Sequence, residues 1–265
     1  MTHLTANGIR MRYRLEGESG PWLVFSNSLG CSLEMWDAQA EVLKGRYRLL
    51  RYDTRGHGGT QATRGAYDFD LLADDLLALM NEIGVEKAVL VGLSMGGMLA
   101  QVAALKAPER FAGLVLCDTT SRYGPEVADF WANRVRLALT EGLAGIAETT
   151  PSRWFTPGYG ERHPEIVAHY QAMLRATDPL GYAGCCGAIP RIDVTDRLDE
   201  LPMPARVIVG AQDPSTTPDH ARRIVAAYTG ADLVVLEDAA HLSNVEQPEA
   251  FTAAVEEFLE RVGNW

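Results

Sequence analysis

Three runs in this chain, WLVF at 22–25, AVLV at 88–91 and RVIV at 206–209, are apolar almost throughout over about one strand's length. Strands covered on both faces of a parallel sheet read this way, whereas a strand with one wet face alternates. YRLLRYD at 47–53, LVLCD at 114–118 and LVVLE at 233–237 are further strand candidates, and IRMRYRL at 9–15 alternates as a half-exposed hairpin strand should. Helical patterns lie between them. At 70–83, Leu71, Leu72, Leu76, Leu79, Met80 and Ile83 fall on one side, and Gly84 follows as a C-cap. Residues 95–106, 218–228 and 248–262 behave similarly. This alternation predicts an α/β fold, a mostly parallel eight-stranded sheet with helices on both faces.

Residues 122–195 break the pattern. They hold Pro125, Pro151, Pro157, Pro164, Pro179 and Pro190 and no convincing strand. The expectation is a helical cap inserted between two strands, lying over the C-terminal edge of the sheet where open α/β folds place ligands. Residues 1–121 and 196–265 then form one core domain, and the 265-residue length is one domain with a lid rather than two domains in series.

Composition narrows the class of partner. Lys and Arg number 24 against 35 Asp and Glu, a net charge of −11, which argues against nucleic acid and anionic membranes. No apolar run reaches ~18 residues, and MTHLTANGIRMRYR lacks the apolar stretch of a secretory leader, so a cytoplasmic protein without a membrane span is expected. Cys31, Cys117, Cys185 and Cys186 have no zinc-site spacing and read as reduced, buried thiols. No metal and no organic cofactor is expected. Nothing in the composition fixes an oligomeric state.

The hexapeptide Gly92-Leu93-Ser94-Met95-Gly96-Gly97 fits G-x-S-x-G and falls between the strand AVLV and a helix. Such a turn needs glycine at its flanks and presents the serine oxygen at the sheet edge, beside a helix N-terminus that favours developing negative charge. A serine hydroxyl needs a base. Of six histidines, His241 follows the last strand, where the Ser…Asp…His chain order puts the base. His220 reads as a surface residue in a helix, His57 in RGHGG as structural, and His163 and His169 as cap residues whose role is at most a substrate contact. Asp213, after RVIV, is the expected acid, with Asp118 as its rival one strand earlier. Asp53 reads as the partner of its neighbour Arg55 in an ion pair supporting their loop. The oxyanion donors are expected to be Met95 N–H and, from the turn Ser26-Asn27-Ser28-Leu29-Gly30, Leu29 N–H, with Ser28 as a substitute.

These residues, in this order, make the chain resemble an α/β-hydrolase with a helical cap, and within that group the 3-oxoadipate enol-lactonases. The segments carrying the resemblance are SNSLG at 26–30, RYDTRGHG at 51–58, GLSMGG at 92–97, SRWFTP at 152–157 and GYAGCC at 181–186. The last two, in the cap, are the most discriminating. The resemblance implies the Ser94, Asp213 and His241 roles and a small enol-lactone substrate bearing a carboxylate. A buried carboxylate needs a cation or several donors. Arg134, Arg136, Arg153 and Arg175 are the cap candidates, with Arg134 first because it follows Trp131 by three residues as in the family; Trp131 and Trp154 are candidate pocket walls. Where family members often carry a further arginine one turn on, this chain reads Leu137-Ala138-Leu139-Thr140. A general carboxylesterase or lactonase, a cofactor-free perhydrolase, and a ligand receptor on the same scaffold are the competing readings.

Overall fold

The continuously apolar runs form the middle of the sheet because each is covered on both faces. The computed structural model describes residues 2–263 and 265. Its strands are β1 (Thr2–Ala6), β2 (Ile9–Glu16), β3 (Trp22–Ser26), β4 (Arg48–Tyr52), β5 (Ala88–Leu93), β6 (Phe111–Cys117), β7 (Ala205–Gly210) and β8 (Ala231–Leu236). They make one eight-stranded sheet in the order β1-β2-β4-β3-β5-β6-β7-β8. The β1–β2 and β2–β4 pairs are antiparallel and all the others are parallel. Every residue of β5, β6 and β7 is buried, while β8 at the edge is half-buried along most of its length.

The helices are α1 (Asp37–Leu43), α2 (Phe69–Ile83), α3 (Met95–Lys106), α4 (Ala128–Glu141), α5 (Ala144–Thr149), α6 (Pro151–Trp154), α7 (Pro157–Arg162), α8 (Pro164–Arg175), α9 (Pro179–Ala188), α10 (Pro218–Ala227), α11 (Ser243–Glu246) and α12 (Pro248–Val262). Helix α1 packs with α12, and α2 packs with α3. Helix α2 begins where the Asp68 side chain accepts the Leu71 N–H and ends at Gly84, whose φ of 80° gives the left-handed cap that its sequence calls for.

Helices α4 to α9 all lie between β6 and β7. The prolines of this segment start helices rather than break them. Pro151, Pro157, Pro164 and Pro179 each occupy the first turn, where a missing N–H costs nothing. The two ends of the segment run side by side: Arg122 bridges Asp193, Val194 N–H donates to Ser121 O at 2.9 Å, and the Ser121 and Thr195 hydroxyls meet at 2.6 Å. The segment touches the sheet domain again where Gly56 (φ 75°) and Gly181 meet backbone to backbone, so closely that a Cβ on either would overlap the other. That contact is the physical reason for glycine in both RGHG and GYAGCC.

The loop after β4 departs from expectation. Asp53 and Arg55 do not pair with each other. Asp53 accepts from Arg12 of β2 at 3.0 Å, from Leu33 N–H at 2.7 Å and from Gly59 N–H at 2.8 Å, while Arg55 reaches Asp75 of α2 at 2.5 Å. Both charges brace the loop, each through a distant partner. All four cysteines are buried and unpaired. Among the described residues, no helix is long and apolar enough to cross a membrane.

Candidate active site

Ser94 stands at the tip of a strand-turn-helix between β5 and α3. Its φ of 55° is in the left-handed region, a strained conformation for a serine, and one that aims Oγ away from the sheet. The turn is tight enough that a Cβ on Gly92 would strike the carbonyl of Gly96, and one on Gly96 the carbonyl of Ser26. The glycines of the motif are therefore required by the close approach of backbone to backbone.

Three side chains from three separate loops form a hydrogen-bonded chain. His241, in the loop after β8, places Nε2 2.9 Å from Ser94 Oγ and Nδ1 2.8 Å from Asp213 Oδ2. Asp213, in the loop after β7, is held by Ser215 N–H at 2.7 Å, Thr216 N–H at 3.1 Å and the Thr216 hydroxyl at 2.7 Å. Burial works to raise the Asp213 carboxyl, but the charge and hydrogen bond of His241, with the Thr216 hydroxyl and Ser215 N–H, outweigh it and hold it below its ordinary value. With the carboxylate on Nδ1, the imidazole carries its proton there and turns a bare Nε2 toward the serine. An imidazole so fixed can take the proton of that hydroxyl.

The serine opens onto a cavity of about 250 Å³. Ser28, Leu29 and His241 line it from the sheet side, and Trp131, Arg134 and Trp154 from the helical segment. The candidates chosen for substrate contact thus share one cavity with Ser94. Leu29, in the turn after β3, lines the cavity and Met95 opens α3 next to Ser94; among the described residues neither N–H donates to a backbone acceptor. For Met95 this follows from its place in the first turn of α3. Arg153 also lines the cavity, its Nε donating to Ser215 Oγ at 3.2 Å, as do Tyr123, Phe130, Tyr182, Met98 and Ile189. Sequence reasoning did not single out these five. Tyr182 lies within GYAGCC, but only packing shows that it faces the serine.

The remaining candidates lie elsewhere. Arg136 is exposed and pairs with Glu141, and Arg175 is exposed. His163 and His169 line a different groove, against Glu34 and Tyr159, so they face no substrate beside Ser94. His220 is half-buried rather than on the surface, edge-on to Tyr123. Asp118 is fully buried and meets Gly210 and Ser243 rather than His241, whose Nδ1 faces Asp213.

His57 is fully buried outside the cavity. Its Nδ1 lies 3.2 Å from the Arg55 carbonyl, to which it can only donate, and its Nε2 has no hydrogen-bond partner among the described residues. Burial lowers its pKa from 6.5 to about 4. The unfolded chain therefore takes up a proton below pH 6.5 that the folded protein refuses until about pH 4. Stability is lost as pH falls across that window, by up to about 3 kcal/mol. Unfolding free energies measured by denaturant at pH 7 and pH 4.5 should differ less in His57→Gln than in the parent; equal differences would contradict this assignment.

Residues 21–248 match the family model described as the alpha/beta hydrolase fold. The chain belongs to this family and is a hydrolase. It is 40% identical over 97% of its length to 3-oxoadipate enol-lactonase 2 of Acinetobacter baylyi, covering 96% of that protein. Among solved structures, the enol-lactonase of Burkholderia xenovorans superposes with a TM-score of 0.94 at 40% identity, covering 98% of this chain and all of that one. A thermophilic esterase from Thermogutta terrifontis, solved with malate bound, gives 0.92 at 32% identity, covering 98% of each chain.

Proposed function

We propose that the protein opens a small enol-lactone carrying a carboxylate, of the kind hydrolysed to 3-oxoadipate, with Ser94, His241 and Asp213 as nucleophile, base and acid. The observation that carries the substrate class is Arg134. In a chain of net charge −11, its guanidinium lies on the cavity with Ser94 and meets no carboxylate among the described residues. It donates only to the hydroxyls of Thr150 and Tyr182, both at 3.0 Å, which leaves donors for an anion. Arg153 stands on the same cavity, and both guanidiniums lie about 5 Å from the Phe130 ring. Glu126, exposed, is the sole carboxylate among the lining residues. A cavity of about 250 Å³ suits a small acid. The name of the relatives sharing 40% and 31% identity supports this reading, as does malate, a dicarboxylic acid, in the esterase. The helical segment 122–195 acts as the cap that supplies these cations.

The proposed reaction uses these groups in sequence. Ser94 Oγ attacks the lactone carbonyl as its proton passes to His241 Nε2. The carbonyl oxygen becomes an oxyanion, taken by the N–H groups of Met95 and Leu29, with Ser28 at the same rim. The ring C–O bond then breaks, and the departing enol oxygen takes the proton from His241. Tautomerisation of the enol to a ketone makes the opening irreversible in practice. Water then gives its proton to His241 and attacks the acyl-enzyme, releasing the acid and restoring Ser94.

The test compares Arg134→Ala on the carboxylated enol-lactone and on a neutral p-nitrophenyl ester. A charge-assisted hydrogen bond contributes about 1.5–3 kcal/mol, so KM for the lactone should rise roughly 10- to 100-fold with KM for the ester nearly unchanged. Equal effects on both substrates would remove Arg134 from carboxylate recognition and favour a general esterase.

A further inference from the structure

We infer that Asp118, at the end of β6, is a positioning residue that locks the loops bearing Asp213 and His241 to each other and to the Ser94 turn. The inference rests on the catalytic reading of those three residues. Asp118 is fully buried and, with φ 42°, is one of three described non-glycine residues in the left-handed region; Ser94 is another. Strain of this kind persists where surrounding contacts fix it, and here they can be named. Oδ1 accepts Gly210 N–H at 2.8 Å, three residues before Asp213, and Oδ2 accepts the Ser243 hydroxyl, two residues after His241. On either side of Asp118, the Cys117 carbonyl accepts Ser94 N–H at 2.8 Å and the Thr119 hydroxyl donates to Ser94 O at 2.7 Å. One short segment thus touches all three loops of the site, while the Asp118 carboxyl itself makes no hydrogen bond to a reacting group.

Burial, and then the charge of nearby Asp213, raises the Asp118 carboxyl well above its ordinary value. An amide is the isostere of this carboxyl and keeps its size and shape. In Asp118→Asn, Oδ1 still accepts from Gly210 and the amide group can donate to Ser243 Oγ, so both links survive.

The experiment measures kcat and KM on a p-nitrophenyl ester per active site, counted by burst titration. Asp118→Ala should lower kcat at least 10-fold with KM within twofold, and Asp118→Asn should restore kcat to within threefold of the parent. Ser243→Ala, which cuts one link, should lower kcat about 3- to 10-fold; combined with Asp118→Ala it should add nothing further, because the link is already gone. Asp213→Asn is run alongside and should fall far below all of them. Should Asp118→Ala fail to fold, Asp118→Asn and Ser243→Ala decide. An unchanged kcat per site in Asp118→Ala or Ser243→Ala would overturn the positioning role. So would an Asp118→Asn as impaired as Asp213→Asn, which would make Asp118 an acid of the reaction. An active Asp213→Asn would instead overturn the catalytic reading itself.

Discussion

Ser94→Ala should lower kcat by about 10⁴- to 10⁶-fold, the range lost when a nucleophile is removed from a unit of this kind. On the proposed reading this hydroxyl forms the acyl-enzyme, and among the described residues no other hydroxyl has an imidazole nitrogen 2.9 Å away with a carboxylate behind it. The residual rate would come from His241 acting on water, assisted by the Met95 and Leu29 N–H groups. The fold should be kept, because alanine inherits the same φ of 55° and the deletion removes one hydrogen bond at the rim of a cavity. Kinetics of the purified variant, with its thermal unfolding as a check on folding, measure this. Surviving activity in a folded Ser94→Ala would show that another group attacks the substrate.

Asp213→Asn should cost about 10³- to 10⁴-fold in kcat with KM nearly constant. The amide is the same size, and Ser215 and Thr216 N–H still require an oxygen at Oδ1. That leaves the NH₂ group facing His241, which must then turn an unprotonated Nδ1 toward it and carry its proton on Nε2. The imidazole then points a hydrogen at Ser94 and cannot act as its base. The imidazolium formed during attack also loses the carboxylate that stabilises it. KM is spared because Asp213 does not line the cavity, although Ser215 does. A loss under tenfold would place the acid elsewhere.

Local signals in the chain carried most of this. The runs at 22–25, 88–91 and 206–209 read as buried parallel strands because each is covered on both faces, and β3, β5 and β7 are built on them. β1 was the strand no pattern identified: THLTA is half-exposed at the sheet edge and exists through its pairing with β2. Ser94, Asp213 and His241 were readable because each follows the end of a strand, and the three loops meet at one edge of the sheet, where β5, β7 and β8 end with β6 between the first two. What the sequence did not disclose depends on distant partners. Arg55 looked like the mate of Asp53 two residues away, yet each charge found a better-placed opposite charge on another element, Asp75 and Arg12. Arg153 and Arg136 looked alike in the helical segment. One reaches the cavity through Ser215 and the other turns to solvent beside Glu141. The direction of a side chain on a short helix is decided by how that helix packs, which no local spacing records.

The most direct measurement follows the ultraviolet absorbance of the carboxylated enol-lactone, formed in situ, as the pure protein is added. Loss of the lactone at about 1 s⁻¹ or faster, abolished by Ser94→Ala, is the expected result, since enzymes turn over their substrates at roughly 1–10³ s⁻¹. Rapid cleavage of simple p-nitrophenyl esters by the same preparation, with the lactone left unopened, would contradict it.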